Sequence, residues 1–273
     1  MRRIELGERN EAFREAVEAF RGASRALALT GAGISVESGI PDFRSPGGLW
    51  TVFEPQEYAT LDAFRESPEK AWKLYRALGA TIAGKQPNAA HRALATLEAE
   101  GWLHGIVTQN VDGLHAAAGS RRILEVHGDH RRLQCLACGC LEPLGAEHLR
   151  EGPVPACAEC GQPLKPNVVL FGEGVRHLES LEEWIEECEA LLVIGTSAQV
   201  YPIADLPLRL ARRGGTILEF NLEKTPLTGG SIGGSFGLVT ASDPVTDFFF
   251  EGMAGSTVRW FAESVITSGP RSS

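Results

Sequence analysis

The sequence predicts an α/β fold in which a parallel sheet is covered by helices on both faces. Three observations predict it. Short apolar runs recur along the chain, each ends in turn-forming residues, and most are separated by stretches long enough to form a helix. The chain has 273 residues, 43% hydrophobic and 22% charged, which suits one main core with a small satellite.

Taken in order, Asn10 is placed to cap a first helix, because Phe13, Ala16, Val17 and Phe20 follow at helical spacing. Ala26–Thr30 reads as a buried strand running into the glycine turn Gly31-Ala32-Gly33. The pattern then repeats. Ile106–Thr108 ends in Gln109-Asn110-Val111-Asp112, Ile123–Val126 in His127-Gly128, and Val168–Leu170 in Phe171-Gly172-Glu173. Leu191–Ile194 ends in Gly195-Thr196-Ser197, and Ile217–Phe220 in Asn221. Helices are expected over 88–100 and 179–189. Ligands of such sheets sit outside the carboxyl ends of the strands, so these turn residues should converge on one crevice.

Two segments interrupt the alternation. Residues 45–87 read as a loop leading into a small helical module around Trp72, Leu74 and Tyr75. Residues 131–164 are rich in Cys, Pro and Gly and have no helical period. The expected organisation is a sheet domain in three pieces (1–44, 91–130 and 165–262), a loop and helical module at 45–90, a metal-binding module at 131–164 and a tail at 263–273. Gly229–Ser235 reads as a flexible loop, Ser268–Ser273 as a disordered end, and Phe248-Phe249-Phe250 as buried core.

The net charge of -9 disfavours nucleic acid as the main partner, and the arginines at 121, 122, 131 and 132 are too few to reverse that. No apolar run approaches the roughly 20 residues a membrane helix needs. Met1–Glu5 carries two arginines with no apolar stretch behind them, so it is not read as a secretory signal, and a cytoplasmic location with reduced thiols is expected.

Cys135-x-x-Cys138 and Cys157-x-x-Cys160 are separated by 18 residues. Two such knuckles complete a tetrahedral thiolate cage suited to Zn²⁺, with no open position, so the metal should stabilise the fold and not catalyse. Cys140 is expected to be a free thiol, and Cys188 a small buried hydrophobe in the helix Leu181–Ala190, beside Trp184 and Ile185.

The turns point to a pyrophosphate ligand. Gly31-Ala32-Gly33 after a strand suggests amides cradling a phosphate, and Gly195-Thr196-Ser197 is a second such turn. The usual dinucleotide fingerprint requires a third glycine where Val36 stands, and Glu54 lies in a poorly strand-like context, so a hydride-transfer dehydrogenase is poorly supported. From the residues alone, His127 is either a proton acceptor or a core histidine. Asn110 and Asp112 either hold an amide-bearing ligand or cap the next helix.

The motifs Gly31-Ala32-Gly33-Ile34-Ser35, Gly39-Ile40-Pro41-Asp42-Phe43-Arg44, Thr108–Asp112, His127-Gly128, the paired knuckles, Phe171-Gly172-Glu173, Gly195-Thr196-Ser197 and Asn221-Leu222-Glu223, in this order, resemble the sirtuin family of NAD-dependent protein lysine deacylases. The resemblance covers roughly residues 10–226. It implies a Rossmann-like parallel sheet with helices on both faces, plus a small zinc-binding module and a small helical insertion. It also implies NAD as cosubstrate, one structural Zn²⁺, and acetyl-lysine proteins as substrates, with no membrane or nucleic acid and an open oligomeric state.

In the implied reaction the acyl oxygen attacks the nicotinamide ribose carbon and expels nicotinamide. His127 acts as general base on the ribose hydroxyls, and water releases free lysine and O-acyl-ADP-ribose. By the same resemblance Asn110 orders ribose and water, Gln109 lines the ribose, and Asp112 and Ile40 hold the nicotinamide amide. Phe43 covers the reactive carbon, and Arg44 lies near the phosphates, with Ala32, Ser35, Asp42 and Trp50 also on the cofactor. Gly31, Gly33, Gly195, Thr196 and Ser197 take the pyrophosphate, while Asn221, Leu222, Glu223 and Ala254 take the adenosine end. The peptide is expected as an added strand between the Phe171-Gly172-Glu173 and Val200–Pro202 segments, its acyl-lysine reaching a tunnel lined by Phe43 and Val169, with Tyr75 also on the substrate.

Members that prefer acidic acyl groups carry Tyr-x-x-Arg in the helical module. Here Tyr75 is followed by Leu78 in the arginine position, so deacetylation is expected over desuccinylation unless Arg76 swings in. The alternatives are another deacylase or a mono-ADP-ribosyltransferase, and, outside enzymes, a zinc-ribbon binding module.

Overall fold

The computed structural model describes residues 1–43, 47–229, 231–232, 239–240 and 244–269. Its strands in chain order are β1 (Arg2–Glu5), β2 (Ala26–Thr30), β3 (Gly105–Thr108), β4 (Ile123–Glu125), β5 (Gly128–Cys135), β6 (Leu141–Pro143), β7 (Leu164–Val168), β8 (Ala190–Ile194), β9 (Thr216–Asn221), β10 (Ser231–Ile232), β11 (Val239–Thr240) and β12 (Phe248–Glu251). The helices are α1 (Glu11–Gly22), α2 (Pro55–Tyr58), α3 (Leu61–Glu66), α4 (Pro68–Ile82), α5 (Ala89–Ala99), α6 (Leu114–Ala117), α7 (Leu178–Glu187), α8 (Leu206–Arg212) and α9 (Ala254–Thr267), with a 3₁₀ turn at Ala32–Ser38.

Seven strands form one sheet in the order β1-β12-β9-β8-β2-β3-β4, and every pair is parallel. From β2 the chain proceeds outward to β3 and β4, then returns to β8 on the other side. The order therefore reverses between β2 and β8, which opens a crevice at their carboxyl ends. Both faces are covered, which explains the unbroken apolar runs. Leu192 and Ile194 of β8 enter a core with Phe13, Phe20, Leu94, Leu97, Phe250 and Phe261 from the side of α1, α5 and α9. Leu191 and Val193 enter the opposite core with Leu181, Ile185, Leu206 and Leu210 from α7 and α8.

A third core lies outside the sheet. Trp72, Tyr75 and Phe64 of the helical module pack with Leu133, Leu164, Val168, Cys135 and Cys157. The Trp72 indole donates to the Leu164 carbonyl at 2.8 Å. The helical and cysteine-rich insertions are thus one apolar unit.

Several expectations are corrected. The run at 168–170 does not extend the parallel sheet. Its strand is β7, which pairs antiparallel with β5 in the three-stranded sheet β6-β5-β7, so the strands of that unit reach beyond 131–164 on both sides. The helix α7 stops at Glu187, and Cys188 follows it as a buried C-cap whose thiol donates to the Ala190 carbonyl at 3.1 Å. The helix α9 continues past 262 to Thr267, with Val265 fully buried. The edge strand β1 was not anticipated. The triple phenylalanine is core, in β12. Asn10 caps α1, its side chain accepting from the Phe13 amide. Of the glycine-rich stretch 229–235, residues 230 and 233–235 lie outside the described residues, as does the tail from 270. No helix among the described residues is long and apolar enough to cross a membrane.

Candidate active site

Two loops cross at the strand-order reversal, and their glycines make the crossing possible. An added Cβ at Gly31 would lie 2.8 Å from the Gly195 carbonyl oxygen, and one at Gly33 would lie 2.7 Å from Gly195 Cα. Gly195 itself has φ +57°, which favours glycine. The amides are already used within the chain. Gly31 N–H donates to Ile194 O (3.0 Å), Gly33 N–H to Gly195 O (2.8 Å) and Gly195 N–H to Phe220 O (3.0 Å). This revises the expectation that these three amides cradle a phosphate. The glycines instead bring two turns into contact and form the floor of the crevice.

The crevice has a volume of ≈ 750 Å³. Gly31, Ala32, Gly33, Asp42, Phe43 and Trp50 line it from the β2 side, and Gln109, Asn110 and His127 from the ends of β3 and β4. Gly195, Thr196, Ser197 and Val200 follow from β8, and Asn221, Leu222, Glu223 and Ala254 from β9 and β12. Val169, Phe171, Gly172, Glu173 and Tyr75 complete the opposite wall. Three predicted residues are placed elsewhere. Ser35, Ile40 and Asp112 border an adjoining hollow of ≈ 20 Å³, which has room for about one water. Arg44 lies outside the described residues. Ala59, Leu74, Val168, Leu170, Lys224 and Met253 also line the crevice but are not among the predicted site residues; all but Lys224 are apolar.

The chemistry centres on His127. Its Nδ1 lies 3.1 Å from the Gln109 carbonyl, which can only accept, so Nδ1 carries the proton and Nε2 is left as the acceptor. Burial lowers its pKa, opposed by that hydrogen bond, so the imidazole is neutral near pH 7. Three backbone contacts hold the neighbourhood: Val169 N–H to His127 O (2.8 Å), Phe171 N–H to Ala59 O (3.0 Å) and Leu61 N–H to Phe171 O (3.0 Å). The last two join the Phe171-Gly172-Glu173 segment to the helical module through a parallel bridge at Thr60 and Phe171.

A second layer orients the polar groups. The Asn110 amide donates to Gly31 O (3.1 Å) and Ser35 Oγ (3.2 Å). Ser35 in turn donates to Asp112 Oδ2 (2.7 Å), and Asp112 Oδ1 accepts from the Leu114 amide (2.9 Å). Burial raises the Asp112 pKa. Thr30 Oγ1 donates to Thr108 Oγ1 (2.8 Å) and lies 2.9 Å from His115 Nε2. At the far end the Asn221 amide donates to Thr196 O (3.0 Å) and Glu219 Oε1 (3.1 Å), which turns its carbonyl away from both. Thr196 Oγ1 accepts from the Gln109 amide (3.0 Å). One hydrogen-bonded line therefore runs from Glu219 through Asn221, Thr196 and Gln109 to His127.

Phe43 and Trp50 stack with ring centroids 5.0 Å apart, and the Trp50 amide donates to Phe43 O at 3.0 Å. Across the crevice Glu173 pairs with Lys165, a lysine with no exposure at all, at 3.0 Å, and also accepts from the Leu170 amide at 2.9 Å. That pair fixes the Phe171-Gly172-Glu173 segment. Burial lowers the lysine pKa, and the Glu173 carboxylate opposes the shift.

The four predicted cysteines meet. Their ligand atoms all lie within 4.8 Å of one another, with Cys135 and Cys160 sulfurs 3.5 Å apart and Cys138 and Cys157 sulfurs 3.6 Å apart. A tetrahedral zinc with Zn–S of about 2.3 Å requires about 3.8 Å between sulfurs, so the cage fits Zn²⁺. The two knuckles are built alike. Gly139 (φ +76°) and Gly161 (φ +73°) follow them, and their amides close onto Cys135 O and Cys157 O at 3.0 and 2.8 Å. Cys140 stands aside, half-buried, near Glu142 and Cys157.

A family model described as the Sir2 family matches residues 31–202. An NAD-dependent protein deacylase of Thermococcus kodakarensis is 41% identical over 241 residues, covering 85% of this chain and 88% of that protein. An NAD-dependent protein deacetylase of Sulfurisphaera tokodaii is 44% identical over 207 residues, covering 74% and 81%. A crystal structure of a Sir2 homologue in complex with NAD superposes with a TM-score of 0.83 at 36% identity, covering 97% of each chain.

Proposed function

The chain belongs to the Sir2 family, and from that premise we propose that it is an NAD-dependent protein lysine deacetylase. It transfers the acetyl group of acetyl-lysine to ADP-ribose and releases nicotinamide. The observation that carries this reading is the His127 imidazole: neutral, protonated on Nδ1, and offering Nε2 at the carboxyl ends of the strands.

NAD supplies an activated ribose carbon that accepts the acyl oxygen as nicotinamide leaves. The residues do the rest. His127 takes a proton from a ribose hydroxyl, so that the oxygen can attack the acyl carbon. Asn110, pinned through its amide nitrogen, presents its carbonyl oxygen to a ribose hydroxyl or water. Gln109 lines the ribose, and the Phe43–Trp50 stack shields the reacting carbon from water. Asp112 and Ile40, with Ser35 behind them, would receive the nicotinamide amide, which requires the small hollow to open. Ala32, Asp42, Thr196, Ser197 and the glycine floor face the pyrophosphate. Asn221, Leu222, Glu223 and Ala254 face the adenosine end, where the Asn221 carbonyl is turned to accept from ribose hydroxyls.

The peptide adds between Phe171-Gly172-Glu173 and Val200, with its acyl-lysine directed past Val169 toward Tyr75. We assign the four cysteines to one structural Zn²⁺ and the chain to the cytoplasm, where unpaired thiols persist. The expected product test is mass spectrometry after incubation with NAD and a peptide carrying a ¹³C-labelled acetyl-lysine. Label on ADP-ribose supports the reading, and label released only as free acetate, or retained on lysine while nicotinamide accumulates, refutes it.

A further inference from the structure

Of the six cysteines, four form the zinc cage and two stand outside it. Cys188 is 4% exposed and its thiol donates to the Ala190 carbonyl, so it is closed off from solvent. Cys140 differs. It is half-buried, and its sulfur belongs to a second group, with the Glu142 carboxylate and Cys157, whose ligand atoms all lie within 4.8 Å of one another. Backbone geometry holds it there. Gly139, at φ +76°, reverses the chain after the first knuckle, and the Cys135 amide donates to Cys140 O at 2.9 Å. Glu142 accepts from the Ala158 amide at 3.0 Å, which ties the start of β6 to the second knuckle. A fifth thiol is therefore fixed against one sulfur of a cage that needs four.

The two sulfurs differ in what they can do. Cys157 is 3% exposed and commits a lone pair to the metal when the cage is filled, whereas Cys140 keeps its lone pairs and has a side open to water. A peroxide therefore oxidises Cys140 first: Cys140–SH and H₂O₂ give Cys140–SOH and H₂O. The Cys157 thiolate then attacks the Cys140 sulfur. The S–S bond forms as the S–O bond breaks, the departing hydroxide takes a proton from solvent, and the Cys157–Zn bond is given up. Each sulfur has lost one electron, and both peroxide oxygens have become water. The sulfurs close from at most 4.8 Å to about 2.0 Å, a movement within reach of side-chain rotation. Three thiolates then remain on the metal, and two of them, Cys138 and Cys160, are exposed, so the ion leaves readily.

We propose that Cys140 is a redox-modification site: a peroxide joins it to Cys157 and thereby releases the structural Zn²⁺. Cys157 packs in the core of Trp72 and Tyr75 behind the crevice wall, so loss of the metal loosens that wall. The test adds excess H₂O₂ to the zinc-loaded protein, follows zinc release with a chromogenic chelator, and maps disulfides by mass spectrometry after alkylation without reduction. Wild type releases zinc as a Cys140–Cys157 link appears, and dithiothreitol with Zn²⁺ restores both the thiols and the metal. Cys140→Ser keeps its zinc and releases it at least about tenfold more slowly, because oxidation must then begin on a metal-bound sulfur. Cys188→Ser releases it as wild type does. Zinc release from Cys140→Ser at the wild-type rate, a wild-type disulfide joining only cage cysteines, or Cys140 oxidised with zinc retained overturns the proposal. If Cys140→Ser does not hold zinc, the wild-type disulfide map decides alone. Turnover of an acetyl-lysine peptide falls in step with zinc release. Turnover undiminished after the zinc has left overturns the coupling to the crevice, whereas no turnover before oxidation overturns the deacylase reading and leaves the cysteine result standing.

Discussion

Among individual residues, His127 and Glu219 carry the sharpest expectations. Replacing His127 by Ala should lower kcat/KM by about 10²–10⁴-fold, the usual worth of a positioned general base, with the circular dichroism spectrum unchanged. The direction of its shift sets the pH profile: burial lowers the imidazole pKa, so the base stays deprotonated into mildly acidic solution. The acidic limb of kcat/KM should fall below the ordinary imidazole value of about 6.5, and a limb above it would contradict the geometry.

Glu219 is buried in β9 and accepts from Thr225 (2.7 Å), Thr246 (2.8 Å) and the Asn221 amide. Glu219→Ala removes the acceptor that fixes Asn221. It should raise KM for NAD with a smaller change in KM for the acyl peptide, and an equal rise in both would contradict the assignment. The chemistry-bearing residues were legible because they follow strand ends and form recognisable motifs. Thr30 and Glu219 were less so as site residues, since a residue that orients another residue has no spacing of its own. Arg76 was left open by sequence, and its bonds to Gly152 and Pro153 settle its direction.

Among elements, the strands of the parallel sheet were legible because burial on both faces makes them continuous apolar runs. β7 was misplaced for a physical reason: Leu-Lys-Pro-Asn-Val has a buried lysine and asparagine that do not read as strand, so the apolar residues just after it were taken instead. β1 was missed because of its four residues only Ile4 is buried.

The module between β5 and β7 has few large apolar residues of its own, and its buried Cys135 and Cys157 join the core around Trp72 and Tyr75. Metal removal should therefore disturb more than the knuckles. Stripping zinc with a chelator is expected to lower the thermal midpoint and alter Trp72 fluorescence, with recovery on adding Zn²⁺; a midpoint insensitive to chelation in a protein shown to be metal-free would contradict a structural role. The Lys165–Glu173 pair ties β7 to the Phe171-Gly172-Glu173 segment. Glu173→Ala leaves the fully buried Lys165 ammonium without its carboxylate and should cost about 3–5 kcal/mol in chemical denaturation, more than an exposed pair would.

The whole molecule carries a built-in sensitivity to acid. His91 and His115 are buried, with ring centroids 4.9 Å apart. Burial lowers their pKa values to about 4 and about 3. Their unfolded value is near 6.5, so between pH 6.5 and 4 the unfolded chain binds more protons and stability falls as pH falls. The expected slope in that window is about 1.4 kcal/mol per pH unit for each histidine, and His115→Gln should remove one share of it. Urea midpoints across this range measure it, and a flat profile would contradict the neutral buried pair. At the same scale, the crevice follows from topology: strand order reverses between β2 and β8, and the two glycine turns cross there.

The most direct measurement of the central claim is nicotinamide release from NAD with and without an acetyl-lysine peptide, on wild type and on His127→Ala. The account predicts release that depends on the peptide and proceeds to deacetylated lysine in the wild type, with deacetylation lost in the variant. Peptide-independent release, or deacetylation that persists without the imidazole, would contradict it.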